Sequence, residues 1–121
     1  MNNLSYWNKF YKNFSLEEET SFANFIVKKV QPNKKLLDIG CGNGRDTIFF
    51  KKKNLKAVGL DNSKTAINNN KLKNKKIFKY LDFCKKKISL DKFDYIYARF
   101  FLHTINENQE YNFFRNCKKI L

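Results

Sequence analysis

A glycine-rich turn behind a short apolar strand is the part of this sequence best suited to hold a ligand. Residues 35–46 read KLLDIGCGNGRD, so Asp38 is followed by glycines at alternate positions, namely Gly40, Gly42 and Gly44. Glycine lets a backbone turn tightly beside a ligand, and the helix start behind the turn offers unpaired N–H groups to polar ligand atoms. The pattern predicts a nucleotide-type cofactor site.

The spacing of the glycines and the preceding Asp38 limit the class of cofactor that this turn could bind. The dinucleotide fingerprint G-x-G-x-x-G fails, because its third glycine would fall on Arg45. A buried carboxylate at Asp38 suits a cofactor that carries a cation nearby, since an unpaired buried charge is costly. The alternative is a tight turn without a ligand, for which one glycine would serve. Cys41, inside the turn, is interpreted as a space-filler rather than a nucleophile.

Two further aspartates follow apolar strands. Asp61 ends the segment at 57–60, and its carboxylate could accept hydrogen bonds from both hydroxyls of a ribose. The alternative role, capping the next helix, is already filled by Ser63. Asp82 ends a third strand, and a loop aspartate is the alternative there. In open α/β sheets ligands bind at the carboxyl edge of the strands, so the three aspartates together predict a site at that edge.

The elements that position these residues alternate between strands and helices. We predict strands over 36–39, 57–60, 77–81 and 93–98, and helices over 45–53, 64–73 and 107–120, the last with Tyr111, Phe114, Cys117 and Leu121 roughly in line. Such alternation implies an α/β fold, a Rossmann-like three-layer sandwich around a parallel sheet.

A helical region precedes the first strand. Ser15 and Glu18 are spaced as a capping box, and the helix predicted over 16–30 carries Phe22, Phe25, Ile26 and Val30 on its core face. Nearer the N-terminus, Tyr6, Trp7, Phe10 and Tyr11 form an aromatic cluster whose spacing is that of an amphipathic turn, which must pack against another part of the fold. We expect a helical cap over residues 1–31 and a cofactor-binding core over 32–121.

In these motifs the chain resembles the class I S-adenosylmethionine-dependent methyltransferases, and the small-molecule members look most similar. The resemblance is carried by LLDIGCGNG (36–44), VGLDNS (58–63), LDF (81–83) and FDYI (93–96), together with GRD (44–46) and the YW pair (6–7). It implies S-adenosylmethionine as the cofactor and a small molecule as the methyl acceptor. The cofactor-binding residues it implies are Asp38, Gly40, Cys41, Gly42, Asn43, Gly44, Asp61, Asn62, Asp82, Phe83, Ala98 and Arg99.

The resemblance also suggests roles around the reaction. The aromatic cluster at 6–11 would cover the cofactor as a lid, with simple core packing as the alternative. Asp38 would face the cofactor's amino group, and Asn62, Asp82 and the Phe83 N–H would contact the adenine. Ala98 and Arg99 would lie by the methionine end and the acceptor. Arg99 could instead bind an acidic group of the substrate, and the alternative is a surface or helix-cap arginine. His103 is a candidate general base if the acceptor must lose a proton, or else a packing or capping histidine. No metal is expected.

The family's sheet has seven strands, of which this chain supplies four. We therefore expect a truncated chain, and a fragment, a shortened gene and a half-domain completed by another chain are the explanations that remain open. The fourth strand would form an apolar edge, which invites self-association. If truncation abolishes catalysis, the chain would be a non-catalytic cofactor-binding or partner-binding module.

Composition sets the remaining limits. The net charge of +14 rests on 22 lysines and three arginines, whereas specific nucleic-acid recognition favours arginine, so a nucleic-acid partner is not expected beyond weak attraction. A basic RNA-associated protein, including an RNA methyltransferase, is the further alternative, and it predicts RNA binding that depends steeply on salt. The lysine clusters are interpreted as solvated surface. Neither a membrane span nor a signal peptide is evident, and three scattered cysteines indicate reduced thiols, so a cytoplasmic protein is expected.

Overall fold

Four parallel strands in the order β3-β2-β1-β4 form the centre of the fold. The computed structural model describes residues 18–99 and 102–121. Along the chain the elements are α1 (Ser21–Val27), β1 (Lys35–Ile39), α2 (Arg45–Lys52), β2 (Lys56–Asp61), α3 (Lys64–Lys73), β3 (Phe78–Tyr80), β4 (Tyr95–Tyr97), a 3-10 turn (Leu102–Thr104) and α4 (Glu107–Ile120). The predicted α/β fold with a central parallel sheet is confirmed, and α3 and α4 have their predicted bounds.

The two faces of the sheet follow from the alternation of side chains along β1. Leu37 and Ile39 are buried with Phe113 and Ile120 of α4 on one face. On the other face Leu36 is buried against Phe50 of α2 and Ala23 of α1. Helices therefore cover both faces, which makes the three layers that the sequence predicted.

The first helix differs from its prediction in start and orientation. It begins after Thr20, whose hydroxyl accepts a hydrogen bond from the Ala23 N–H at 3.1 Å, while Ser15 lies outside the described residues. Ala23 is fully buried, whereas Phe22 and Phe25 are 45% and 54% exposed, so the core position predicted for the two rings is wrong. Ile26 and Val30 pack against the core as predicted. Thr20 is anchored to the core, and this anchor turns a small side chain rather than the two rings toward the sheet.

The line of apolar residues predicted on the last helix is not its buried face. Tyr111 and Phe114 are exposed, and the helix instead buries Phe113, Asn116 and Ile120. The side chain of Asn116 donates hydrogen bonds to the Phe83 and Lys85 carbonyls at 2.8 and 2.9 Å. A polar residue thus lies at the centre of the buried stripe, where apolar spacing alone cannot reveal it.

Within the two described segments no helix combines the length and apolar character needed to cross a bilayer.

The junction between the glycine turn and α2 is sterically fixed by Gly44. This residue has φ +78°, and a Cβ placed on it would lie 2.6 Å from Cε1 of Phe78 in β3. Phe78 is itself 4% exposed and cannot move outward without opening the core. Because Gly44 has no side chain, the ring of Phe78 has room to pack in the core.

We predict that Gly44→Ala destabilises the fold by about 2–4 kcal/mol, which combines left-handed backbone strain with overpacking. Asn54→Ala is the matched control, because the exposed Asn54 has φ +68° but lies in an open turn. It should lose only the strain, about 1 kcal/mol. Urea denaturation measures both values, and equal losses would contradict the packing argument.

Candidate functional site

The three aspartates singled out by sequence lie at the carboxyl edge of the sheet. Asp38 is the next-to-last residue of β1, Asp61 is the last residue of β2, and Asp82 follows β3 by two residues. Because the strands are parallel and adjacent, their carboxyl ends share one edge. The edge is the place where the sequence predicted a ligand.

Asp38 is a carboxyl group buried in the middle of the sheet. It pairs with Gly59 of β2 on one side and Tyr97 of β4 on the other, and it is 3% exposed. Thr47 of α2 donates a hydrogen bond from Oγ1 to Asp38 Oδ2 at 2.7 Å. Among the described residues this is the only side-chain hydrogen bond to the carboxyl.

Gly59 makes room for this hydrogen bond. A Cβ on Gly59 would lie 2.8 Å from Thr47 Oγ1 and 3.0 Å from the Cys41 sulfur. Any side chain there would push the threonine hydroxyl away from Asp38. Sequence reasoning assigned no role to Thr47 or Gly59, because their relation to Asp38 depends on strand register and helix packing.

The environment of Asp38 favours its neutral form. Burial raises the pKa of this carboxyl to about 8, and the nearby Asp46 and Asp61 carboxylates act in the same direction, while the Thr47 hydrogen bond opposes them. A carboxyl held in this state gains the most from a ligand that brings positive charge. This edge of the strongly basic chain therefore carries a group of carboxyl side chains.

Asp61 binds the glycine turn to the start of α3. Its Oδ2 accepts a hydrogen bond from the Gly42 N–H at 3.0 Å, and its Oδ1 accepts one from the Ser63 N–H at 2.8 Å. Burial raises the pKa of this carboxyl, and the backbone N–H groups oppose that shift. Ser63 caps α3 by accepting a hydrogen bond from the Ala66 N–H. Asp61 is therefore not the helix cap, in agreement with the sequence analysis, which gave that role to Ser63.

The glycine turn has the special backbone that the sequence predicted. Gly40, Gly42 and Gly44 all have positive φ, between 58° and 78°. The side chain of Asn70 in α3 is 1% exposed and donates a hydrogen bond to the Gly42 carbonyl at 2.6 Å. The turn is therefore held from two sides, by Asp61 at its N–H and by Asn70 at its carbonyl.

Cys41 fills space beneath the turn. It is buried in a small cluster with Ile67, Ile77 and Phe78. Burial raises the pKa of its thiol, and Asp38 and Asp61 add to that effect. A thiol that stays protonated at neutral pH is a poor nucleophile.

The remaining residues proposed to bind the cofactor extend along the same edge. Asn62 is exposed, and Asp82 Oδ1 accepts a hydrogen bond from the Cys84 N–H at 2.9 Å. The ring of Phe83 points into the core, 5.5 Å from the ring of Phe113, so only its backbone is available at the edge. Asn43 accepts a hydrogen bond from the Arg45 N–H at 3.2 Å.

The residues proposed near the acceptor follow β4. Ala98 and Arg99 are half-buried, and the exposed His103 lies in the 3-10 turn that comes next. They therefore lie beyond the carboxyl end of the strand that neighbours Asp38. The aromatic cluster at 6–11 lies outside the described residues.

Sequence reasoning assigned no role to Asp46, although it organises three elements. This buried carboxylate in α2 accepts hydrogen bonds from the Thr20 N–H at 2.8 Å, the Thr20 hydroxyl at 2.9 Å and the Tyr97 hydroxyl at 2.8 Å. It thereby joins the start of α1 to α2 and β4. A charged residue directly behind the glycine turn, ahead of apolar Ile48, Phe49 and Phe50, is the only sequence signal for this link.

In residues 18–99 and 102–121 no group of three or more histidine, cysteine, aspartate and glutamate side chains is arranged to hold a metal ion.

Comparison with known proteins assigns the family. The model of the methyltransferase domain matches residues 37–121. The chain belongs to this methyltransferase domain family. The match includes the glycine turn, Asp61, Asp82 and α4. No curated protein matches the sequence significantly.

Solved structures share the fold of this methyltransferase domain. A TehB-like SAM-dependent methyltransferase from Corynebacterium glutamicum is 21% identical, with a TM-score of 0.76 over 97% of this chain and 64% of that chain. TehB from Haemophilus influenzae is 19% identical, with a TM-score of 0.75 over 93% of this chain and 41% of that one. A SAM-dependent methyltransferase from Aquifex aeolicus is 22% identical, with a TM-score of 0.69 over 99% and 68%. The chain spans between 41% and 68% of these proteins' length.

The Asp38 carboxyl predicts a pH-dependent stability for the methyltransferase domain. The folded state keeps a proton on Asp38 up to about pH 8, whereas an unfolded aspartate releases it near 3.8. The free energy of unfolding should therefore fall as pH rises from 4 to 8, by about 1 kcal/mol per pH unit from this group. We expect Asp38→Asn to flatten this slope in urea denaturation at pH 5, 6, 7 and 8.

The control for this measurement is Asp91→Asn, because Asp91 is exposed in the loop before β4. This variant should keep the wild-type slope. The slope is the diagnostic quantity, since the amide at position 38 also lowers stability by an amount that does not depend on pH. An Asp38→Asn slope equal to that of the wild type would contradict the assignment.

Proposed function

We propose that this chain binds S-adenosylmethionine at the carboxyl edge of its sheet and takes part in methyl transfer to a small-molecule acceptor. Family membership and similarity to proteins described as SAM-dependent methyltransferases support the proposal. The single observation that carries it is the buried Asp38 carboxyl with its raised pKa at the glycine turn. A ligand with a positively charged amino group and sulfonium supplies the charge that this site lacks.

Asp61 has the hydrogen-bonding capacity that a ribose needs. A carboxylate has about four lone-pair sites, and two of them accept the Gly42 and Ser63 N–H groups. The remaining sites can accept both hydroxyls of a ribose. The backbone contacts fix the carboxylate before the ligand arrives, which lowers the entropic cost of binding.

The other contacts follow from the order of residues along the edge. The turn from Gly40 to Gly44, including Cys41 and Asn43, would pack against the methionine part of the cofactor, with Asp38 at its amino group. Asn62 and Asp82 would contact the adenine, together with the Phe83 N–H. The inward orientation of the Phe83 ring supports a backbone contact, because that ring is buried against α4.

The residues' part in the reaction is mainly orientation. The cofactor supplies an activated methyl group on a good leaving group. The acceptor's lone pair would form the new bond to the methyl carbon as the carbon–sulfur bond breaks. Ala98 and Arg99 would hold the acceptor, and alignment of this kind is worth roughly 7–11 kcal/mol. His103 would take the proton from an acceptor that must lose one.

A second candidate is a cofactor-binding module that does not catalyse transfer. The observation behind it is the position of β4 at one edge of the described sheet. That edge would pair with a second copy or another chain. Binding of S-adenosylmethionine without turnover would favour the module.

For either candidate we propose a cytoplasmic location, which the three free cysteines support.

We predict that the chain binds S-adenosylmethionine and that Asp61→Asn weakens binding at least about tenfold, because one amide oxygen cannot replace the carboxylate at both hydroxyls. Isothermal titration calorimetry measures both affinities. The same titration also measures the number of protons released on binding, when it is repeated in buffers of different ionisation enthalpy. We expect release of the Asp38 proton at pH 7.

Asp91→Asn again serves as the matched control, since it removes the same charge at the amino end of β4, away from the aspartate edge. It should bind as the wild type does. A wild-type chain that shows no binding, or an Asp61→Asn variant with wild-type affinity, would contradict the proposed site.

A further inference from the structure

One edge of the sheet carries an uninterrupted concentration of positive charge. Between Lys64 and Tyr80 the sequence has six lysines and no acidic residue. This stretch forms α3, the connection behind it and β3, which is the outermost strand of the described sheet. All of its lysines are exposed: Lys64, Lys71, Lys73, Lys75, Lys76 and Lys79. We call these six residues the lysine edge.

The fold adds to the composition by placing these lysines together. The connection from α3 to β3 brings Lys75 and Lys76 to the amino end of β3, and Lys79 lies within that strand. At its carboxyl end the ammonium of Lys64 lies 5.4 Å from the centre of the Tyr80 ring. The charges thus run along the whole length of one sheet edge.

Protection of the sheet edge explains only part of this pattern. A charged residue within an edge strand prevents pairing with other chains, and Lys79 would be sufficient for that role. Lys71 and Lys73 are on α3, and Lys75 and Lys76 lie in the connection, where no strand edge needs protection. A concentration of positive charge along one sheet edge gives a positive potential, which attracts a polyanionic partner.

The uncharged residues of this surface indicate the kind of polyanion. Tyr80 is 46% exposed and presents a ring on which a base could stack. The exposed Asn68 and Asn69 offer amide donors and acceptors on α3. A helix that binds a membrane surface needs a broad apolar face, and α3 exposes only Leu72 among large apolar residues.

We propose that the lysine edge is a docking surface for single-stranded nucleic acid. It lies at the opposite edge of the sheet from β4, where the methyl acceptor is expected. Docking therefore does not require the cofactor, and the inference stands independently of the proposed methyl transfer. It differs from the expectation drawn from the sequence, which treated the lysines as solvated surface, because the sequence does not show that β3 forms an edge of the sheet.

The test compares two variants of equal net charge. The edge variant replaces Lys75, Lys76 and Lys79 by glutamine, and the control variant replaces Lys28, Lys29 and Lys34, which are also exposed but lie around α1 and before β1. Each variant loses three positive charges. The probe is a fluorescein-labelled single-stranded RNA of about 20 nucleotides and mixed sequence, a length that exceeds the site size of one small binding domain. Binding is measured by anisotropy between 50 and 200 mM salt.

For six phosphate contacts we expect the logarithm of the association constant to fall against the logarithm of salt concentration with a slope of about −4. The edge variant should make the slope shallower by about 2 units, whereas the control variant should keep the wild-type slope. Tyr80→Leu should weaken binding about fivefold or more at an unchanged slope, because stacking releases no counterions.

Equal losses in the edge and control variants would overturn the inference, since they would show that only net charge matters. A wild-type chain that fails to bind the RNA would overturn it as well. Sedimentation with vesicles of phosphatidylserine and phosphatidylcholine covers the other polyanion. Vesicle binding that depends on the lysine edge, without RNA binding, would assign the surface to membranes and contradict the inference.

Discussion

The burial of one carboxyl group in the central strand is the constraint on which the site depends. Asp38 lies between Gly59 and Tyr97, and its removal from water is compensated by a hydrogen bond from Thr47 and by its neutral form. Burying an ionised group without a partner would cost more than the fold can supply. The site is therefore stable without a cation, and it is suited to bind a ligand that carries one.

The surrounding elements hold this arrangement rigidly. Asp61 and Asn70 hold the two backbone groups of Gly42, so the glycine turn keeps its shape without a ligand. Asp46 ties α1 and β4 to the helix behind the turn. Sites built on strands and helices in this way lose little entropy when a ligand binds.

Local chemistry made most of the site predictable, and packing decided the rest. The glycine turn and the aspartates at the strand ends could be found because each strand end has its own sequence signal. The start of α3 followed from the Ser63 cap. The orientations of α1 and α4 did not follow, because Thr20 and Asn116 set them through hydrogen bonds to distant residues. Thr47, Gly59 and Asp46 were missed for the same reason.

The most direct test of the account is a carbon-13 NMR titration of the Asp38 carboxyl, with and without S-adenosylmethionine. We expect a midpoint near pH 8 for the free chain, and a clearly lower midpoint when the positively charged ligand is bound. A free chain in which Asp38 titrates near 3.8, or a bound chain with an unchanged midpoint, would contradict it.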